Sequence, residues 1–234
     1  MTDTPPDLVI YGSPVSPFVR KVAAVCIEKD VPFEIDAVDV FNPPEWFRAI
    51  SPLKRIPVLR DRSIAAEGVD GTIADSSAIC AYIERKVPGP AIYPAEAYPY
   101  GRALFIEEYA DSHLAATGGL GIFRPAFFAV TQGKEPDLET MQGSWTGKMP
   151  SILSYLDSAL GDGDFYVGDG VTIADITVTT CLMQIMLVAD VDLSAWPALA
   201  AHQVRMRERP SIDRPYAQAE RFIRKAMPER IKLG

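Results

Sequence analysis

The feature that most constrains this chain is a change of hydrophobic period across residues 87–99. Before that stretch, apolar residues recur at both two-residue and helical spacing, and after it only the helical spacing survives. Between Val87 and Pro99 lie four prolines and a glycine with no periodicity, the composition of an interdomain linker. The expected organisation is an α/β domain over residues 1–87, a linker over 88–98 and an all-helical domain over 99–234.

The first domain reads as β-α-β-β-α. Leu8 to Tyr11 is a short apolar run closed by Gly12, which predicts a buried strand. From Pro17, Phe18, Val22 and Cys26 recur at helical spacing, with Arg20, Lys21, Glu28 and Lys29 assigned to the opposite face, and the helix ends near Asp30. Phe33, Ile35 and Ala37 alternate with Glu34 and Asp36, a strand with one wet face. Residues 42–51 read as a loop with one helical turn around Trp46. Ile56 to Leu59 is then predicted as an edge strand, with Gly71 to Ala74 as its partner. Ser76 to Lys86 is predicted helical, stopped by Pro88.

Beyond the linker, helices are predicted over Leu104–Leu114, Met149–Leu160, Ile173–Val188, Leu199–Arg209 and Tyr216–Met227, with no competing strand pattern. The strongest local signal there is Thr172 with Asp175 three residues on, a capping box for the apolar helix that follows.

Composition narrows the function classes. A net charge of -8 argues against a general nucleic-acid binder, because phosphate backbones are held by basic surfaces. The opening MTDTPPDLVI has acids and prolines where a secretory signal needs a basic stretch and a long apolar run, so a cytoplasmic location is expected. The longest apolar stretch, Ile173 to Val188, falls short of a bilayer span, and no membrane partner is expected. Cys26, Cys80 and Cys181 lack any C-x-x-C spacing and read as buried small residues. His113 and His202 have no second ligand at metal spacing, so no metal is expected.

Three places suit chemistry. Ser16-Pro17 puts a serine at the N-cap and a proline at the first helical position. A hydroxyl there is also placed to donate to a thiolate beside the positive end of the helix dipole. Ile56-Pro57 opens a short strand, where a cis bond exposes main-chain N–H and C=O to an incoming peptide. Asp75-Ser76 begins a helix, where Asp75 suits an ammonium and Ser76 a carboxylate resting on N–H groups. Capping alone also accounts for both.

Taken together, these motifs resemble the soluble glutathione transferase family over nearly the whole chain. YGSPVSPFVRKV is similar to the first strand and helix of serine-type members, particularly the phi, tau and bacterial forms. SPLKRIPVL resembles the family's Asn-Pro-x-Gly-x-Val-Pro-x-Leu segment, DSSAI its Glu-Ser-x-Ala-Ile signature, and YVGDGVTIADI its second-domain capping motif. The resemblance implies a thioredoxin-like domain with a mixed four-stranded sheet, followed by a helical bundle. It implies glutathione as co-substrate, Ser16 as the thiol-activating residue with Ser13 as alternative, and a cis bond before Pro57. Main-chain contacts from Ile56 to the glutathione cysteine and a grip on its γ-glutamyl end by Asp75 and Ser76 follow in the same way. A small apolar electrophile as second substrate and a homodimer are implied as well.

This chain also departs from the pattern. Lys54 stands where the family usually has glycine, and Phe41-Asn42 where phi members carry basic residues for the glycine carboxylate of glutathione. Lys54 or Arg55 is the expected substitute. The turn RDRSIAAEGVDGT is several residues longer than usual, which suggests a lid or an altered dimer contact. Phe123, Arg124 and Phe127 suit either a pocket for the second substrate or ordinary packing. A binding or regulatory protein on the same fold is the rival from another class. Thiol–disulfide exchange would need a cysteine where Ser16 stands, or a reactive Cys26. Tyr11 is a rival for the thiolate contact.

Overall fold

The computed structural model describes residues 5–233. The chain separates into two compact units, Met1–Ile92 and Tyr93–Gly234.

In the first unit, β1 (Leu8–Tyr11), α1 (Pro17–Glu28), β2 (Phe33–Asp36), α2 (Glu45–Ile50), β3 (Val58–Asp61), β4 (Thr72–Ala74) and α3 (Ser76–Lys86) follow one another. The sheet order is β2-β1-β3-β4, with β1 and β2 parallel and the other two pairs antiparallel. This is the thioredoxin-like α/β arrangement with a mixed four-stranded sheet. The strand predicted as an edge, β3, lies inside the sheet, and β2 and β4 are the edges. Pro57 can precede an interior strand because it lies just before β3 and removes no ladder donor.

α1 departs from the amphipathic expectation. All residues from Val19 to Cys26 are buried, and Arg20, Lys21 and Lys29 are no more than 4% exposed instead of forming a wet face. Each cation is buried with an oxygen partner, the condition under which burial of charge is tolerated. Arg20 donates to two loop carbonyls, Lys21 to Ser77 Oγ at 3.0 Å, and Lys29 to Glu84 Oε2 at 2.8 Å and Pro90 O at 3.1 Å. Lys21 and Lys29 thereby staple α1 to α3 near both ends of α3.

The second unit opens with a continuous helical run, Ala97–Thr131: α4 (Ala97–Tyr109), a π turn (Ala110–Leu114), α5 (Ala115–Gly118), a second π turn (Gly119–Phe123) and α6 (Arg124–Thr131). Its length and composition would suffice to cross a bilayer; Ala103, Ile106, Ala110, Leu114 and Ile122 are buried, and α4 and the first π turn pack on α9. Then come α7 (Leu138–Gly147), α8 (Met149–Leu160), α9 (Ile173–Met186), β5 (Ala189–Val191), α10 (Pro197–Arg207), α11 (Pro210–Ala226) and β6 (Ile231–Leu233).

α9 is the axis of this unit, buried at every position from Ile173 to Ile185. Its capping box forms, and Asp175 does more than cap. Oδ2 accepts from Thr172 N–H and hydroxyl, both at 2.9 Å, while Oδ1 accepts from Tyr166 N–H and meets His202 Nε2, both also at 2.9 Å. One carboxylate therefore ties the preceding loop and α10 to the central helix. The unit is not purely helical, since β5 and β6 form a short parallel pair. Three-residue strands paired across some forty positions leave no periodic trace in a sequence.

Candidate active site

The sheet register brings three separated segments to one end of the sheet. Tyr11 lies opposite Val58, and Val58 opposite Ala74, on antiparallel neighbours. Gly12 after β1, Pro57 before β3 and Asp75 after β4 therefore emerge at the same end of the sheet. Helices α1 and α3 both begin there, so that end offers the unbonded N–H groups and positive dipole ends of two helices.

Gly12 is where the first two segments touch. A Cβ at this position would stand 2.6 Å from Val19 Cγ2 and 3.3 Å from Ile56 Cβ, so the close approach of α1 and the Ile56 segment requires a glycine. Beyond it the loop folds into a turn, with Ser16 N–H donating to Ser13 O at 2.9 Å and Val15 N–H to Ser13 Oγ at 3.3 Å. Arg20 Nη1 closes the loop from the helix side, at 2.7 Å from Val15 O and 3.2 Å from Pro14 O. Ser16 has the extended backbone of an N-cap and Pro17 takes the first helical position, yet the Ser16 side chain makes no capping hydrogen bond. The hydroxyl of Ser16 is half-buried and is not used by the helix it precedes, whereas that of Ser13 is engaged within the loop.

The peptide bond Ile56-Pro57 is cis. Buried Ser51 shapes the residues before it: its Oγ donates to Arg55 O at 2.8 Å and accepts from Arg55 N–H at 3.0 Å, while Lys54 N–H donates to Ser51 O at 2.9 Å. Lys54 has φ 53, in the left-handed region where glycine is favoured. A glycine would hold that conformation without the steric cost that a lysine side chain brings. Lys54 and Arg55 are both exposed, Ile56 is half-buried and Pro57 buried.

Asp75 has φ 82, a backbone state that non-glycine residues rarely hold and that gathers at binding sites. Its Oδ1 caps α3, accepting from Ser77 N–H at 3.0 Å and Ala78 N–H at 3.2 Å, so the sequence reading of a cap holds. Asp75 remains exposed and Ser76 is buried at the first turn. Lys21, bonded to Ser77 Oγ, fixes α3 to the helix that carries Ser16.

Tyr11 packs through its ring. Its ring meets Trp46 edge-on at 5.0 Å and packs on the cluster of Val38, Phe47, Ile50 and Val58. The long turn after β3 is a built structure. Arg60, 4% exposed, donates to the carbonyls of Ala65, Gly68 and Asp70, which encircle its guanidinium. In the second unit Phe123 and Phe127 are buried with their rings tilted at a centroid distance of 5.4 Å, and Phe127 lies 6.3 Å from the exposed Phe222, while Arg124 is exposed. Among the described residues no group of three or more His, Cys, Asp or Glu is disposed to hold a metal ion.

Sequence reasoning overlooked three residues that shape this site: Gly12, read only as a strand terminator, Arg20, read as a wet face, and Ser51. The signal for Gly12 lay in its place between a strand and a Ser-Pro helix start. Arg20 and Ser51 act through contacts that no local pattern reports.

Comparison with known proteins places both parts of the chain in one family. Residues 10–91 match the model of the glutathione S-transferase N-terminal domain, and residues 123–219 that of the glutathione S-transferase C-terminal domain. The chain is similar to the uncharacterized GST-like protein YibF of Escherichia coli (strain K12), 30% identical over 169 residues that cover 72% of this chain and 77% of that protein. It is also similar to the probable glutathione S-transferase DHAR2, chloroplastic, of Oryza sativa subsp. japonica, 29% identical over 164 residues. That match takes in 69% of this chain and 49% of the relative, so the matched region is about half of that protein's length. Among solved structures, the apo form of human glutathione S-transferase T1-1 shares the fold with a TM-score of 0.79 at 23% identity, covering 96% of this chain and 92% of that one.

Proposed function

The chain belongs to the soluble glutathione transferase family, an enzyme superfamily that uses glutathione as substrate, and from that premise we propose that Ser16 holds the glutathione sulfur as a thiolate for attack on an apolar electrophile. The observation that carries this reading is the Ser16 hydroxyl, which sits at the N-terminus of α1 without capping it. It stands at the sheet end where the cis Ile56-Pro57 bond and Asp75 also emerge.

In this mechanism glutathione lies as an extended peptide against the segment before β3, its cysteine main chain paired with Ile56 at Pro57. Its ammonium meets Asp75, its γ-glutamyl carboxylate rests on Ser76 at the start of α3, and Lys54 or Arg55 receives the glycine carboxylate. The Ser16 hydroxyl donates to the sulfur, and the N–H groups opening α1 add a positive potential. Both favour the anion over the thiol, whose unperturbed pKa is about 8.5, and each unit of lowering corresponds to about 1.4 kcal/mol. The thiol proton leaves to solvent. The sulfur lone pair then forms a C–S bond as the leaving group departs with its electron pair.

Ultraviolet titration of the glutathione complex, with turnover of a chloronitroaromatic, tests the proposal. Bound glutathione should ionise at lower pH than free glutathione, and Ser16→Ala should erase that difference and most of the turnover. A complex whose thiol ionises as it does in buffer would overturn the mechanism. Absence of glutathione binding would instead favour a binding or regulatory protein on this fold.

A further inference from the structure

We propose that Arg20 is a positioning residue for Ser16, holding the loop before α1 so that the hydroxyl and helix N–H groups, with no backbone carbonyl, face the sulfur. The inference rests on the reading of Ser16 as the thiolate donor.

Arg20 lies four residues after Ser16, and its N–H donates to Ser16 O at 3.1 Å, within the first turn of α1. Side chains on a helix lean toward its N-terminus, so an arginine here reaches back over the residues that precede the helix. Its Nη1 bonds the carbonyls of Val15 at 2.7 Å and Pro14 at 3.2 Å. The Ser13 carbonyl is taken by Ser16 N–H. All three carbonyls between Ser13 and Val15 are therefore occupied by donors from the protein. An anion site needs this arrangement, because a carbonyl oxygen facing a thiolate repels it.

The location of the arginine is otherwise unfavourable. A cation in the first turn opposes the helix dipole, and Arg20 is 2% exposed. Two carbonyl acceptors on the loop that carries the candidate catalytic serine offset part of that cost. A lysine would keep the charge, but its ammonium ends one bond short of Nη1, the nitrogen that reaches both acceptors.

The experiment uses the full chain and five forms: wild type, Ser16→Ala, Arg20→Lys, Arg20→Met, and Ser16→Ala with Arg20→Met. Ultraviolet titration gives the pKa of bound glutathione, calorimetry its Kd, and thermal unfolding reports folding. Both Arg20 variants should raise the bound-thiol pKa about as far as Ser16→Ala does, and the double variant no further, with Kd changed much less. An Arg20→Lys protein that behaves as wild type would assign the effect to charge alone and overturn the proposal. So would Arg20 variants that lose glutathione binding altogether or fail to fold, since positioning leaves both intact. If Ser16→Ala itself leaves the bound thiol unchanged, the reading of Ser16 fails, an outcome distinct from Arg20 variants that stay at wild type while Ser16→Ala does not.

Discussion

Lys86 Nζ lies 2.6 Å from Oδ2 of Asp61, joining the last turn of α3 to the end of β3. Tyr82 Oη donates to the same oxygen at 2.6 Å, and Ser63 donates to Oδ1 through its N–H at 2.9 Å and its hydroxyl at 2.5 Å. Burial alone would raise the Asp61 carboxyl, but the hydrogen bonds from Lys86, Ser63 and Tyr82 outweigh it and hold the group at about 2. A depressed carboxyl contributes stability above its unfolded pKa and loses it as pH falls to the folded value, here between about 4 and 2. Asp61→Asn should therefore cost about 2 kcal/mol at pH 7. The gap should shrink toward zero by pH 2 in paired urea titrations.

Lys54 holds φ 53, which costs an L-residue about 1 kcal/mol relative to glycine. Lys54→Gly should raise the thermal midpoint while weakening glutathione binding, if the ammonium receives the glycine carboxylate. A gain in stability with unchanged Kd would move that role to Arg55.

Gly12→Ala should damage the site from beneath. The new methyl meets Val19 Cγ2 at 2.6 Å and Ile56 Cβ at 3.3 Å, so α1 and the cis-proline segment must part. Overpacking of this kind costs about 1–3 kcal/mol. Glutathione affinity should fall with it, readable by calorimetry beside a chemical melt.

For Asp75, capping and binding can be separated. Asn keeps an oxygen for Ser77 N–H and Ala78 N–H but carries no charge. Asp75→Asn should melt within a few degrees of wild type yet bind glutathione more weakly, whereas Asp75→Ala should lose about 1 kcal/mol of cap as well. Equal affinity in Asp75→Asn would remove the carboxylate from the ammonium site.

Burial pushes the Cys26 thiol up to about 12, so it stays protonated at neutral pH. Native protein incubated with oxidised glutathione should show no mixed disulfide on Cys26 by intact mass. Rapid formation of one would revive thiol–disulfide exchange.

Several parts of the fold were legible locally. The capping box at Thr172 and Asp175, the four-residue strand from Leu8 and the helix from Ser76 to Lys86 each follow from neighbouring residues alone, because caps and periodicity are short-range. Leu104–Leu114 reads as helix, but the rest of the run Ala97–Thr131 and helix α7 go unread. Gly118, Gly119, Gly121 and Pro125, and Gly143 and Gly147, are breakers by propensity, and packing on neighbouring helices overrides them.

The amino-acid sequence by itself determined most of the strands and helices of the first unit, and the motifs they carry, in that order, pointed to the family. Only the tertiary structure decided that β3 lies inside the sheet, that Arg20, Lys21 and Lys29 are buried, and that Gly12, Pro57 and Asp75 share one end of it. The physical reason is that a charged side chain is placed by its acceptors. Those acceptors, from the carbonyl of Val15 to Ser77 and Glu84, are assembled only when the chain folds back on itself.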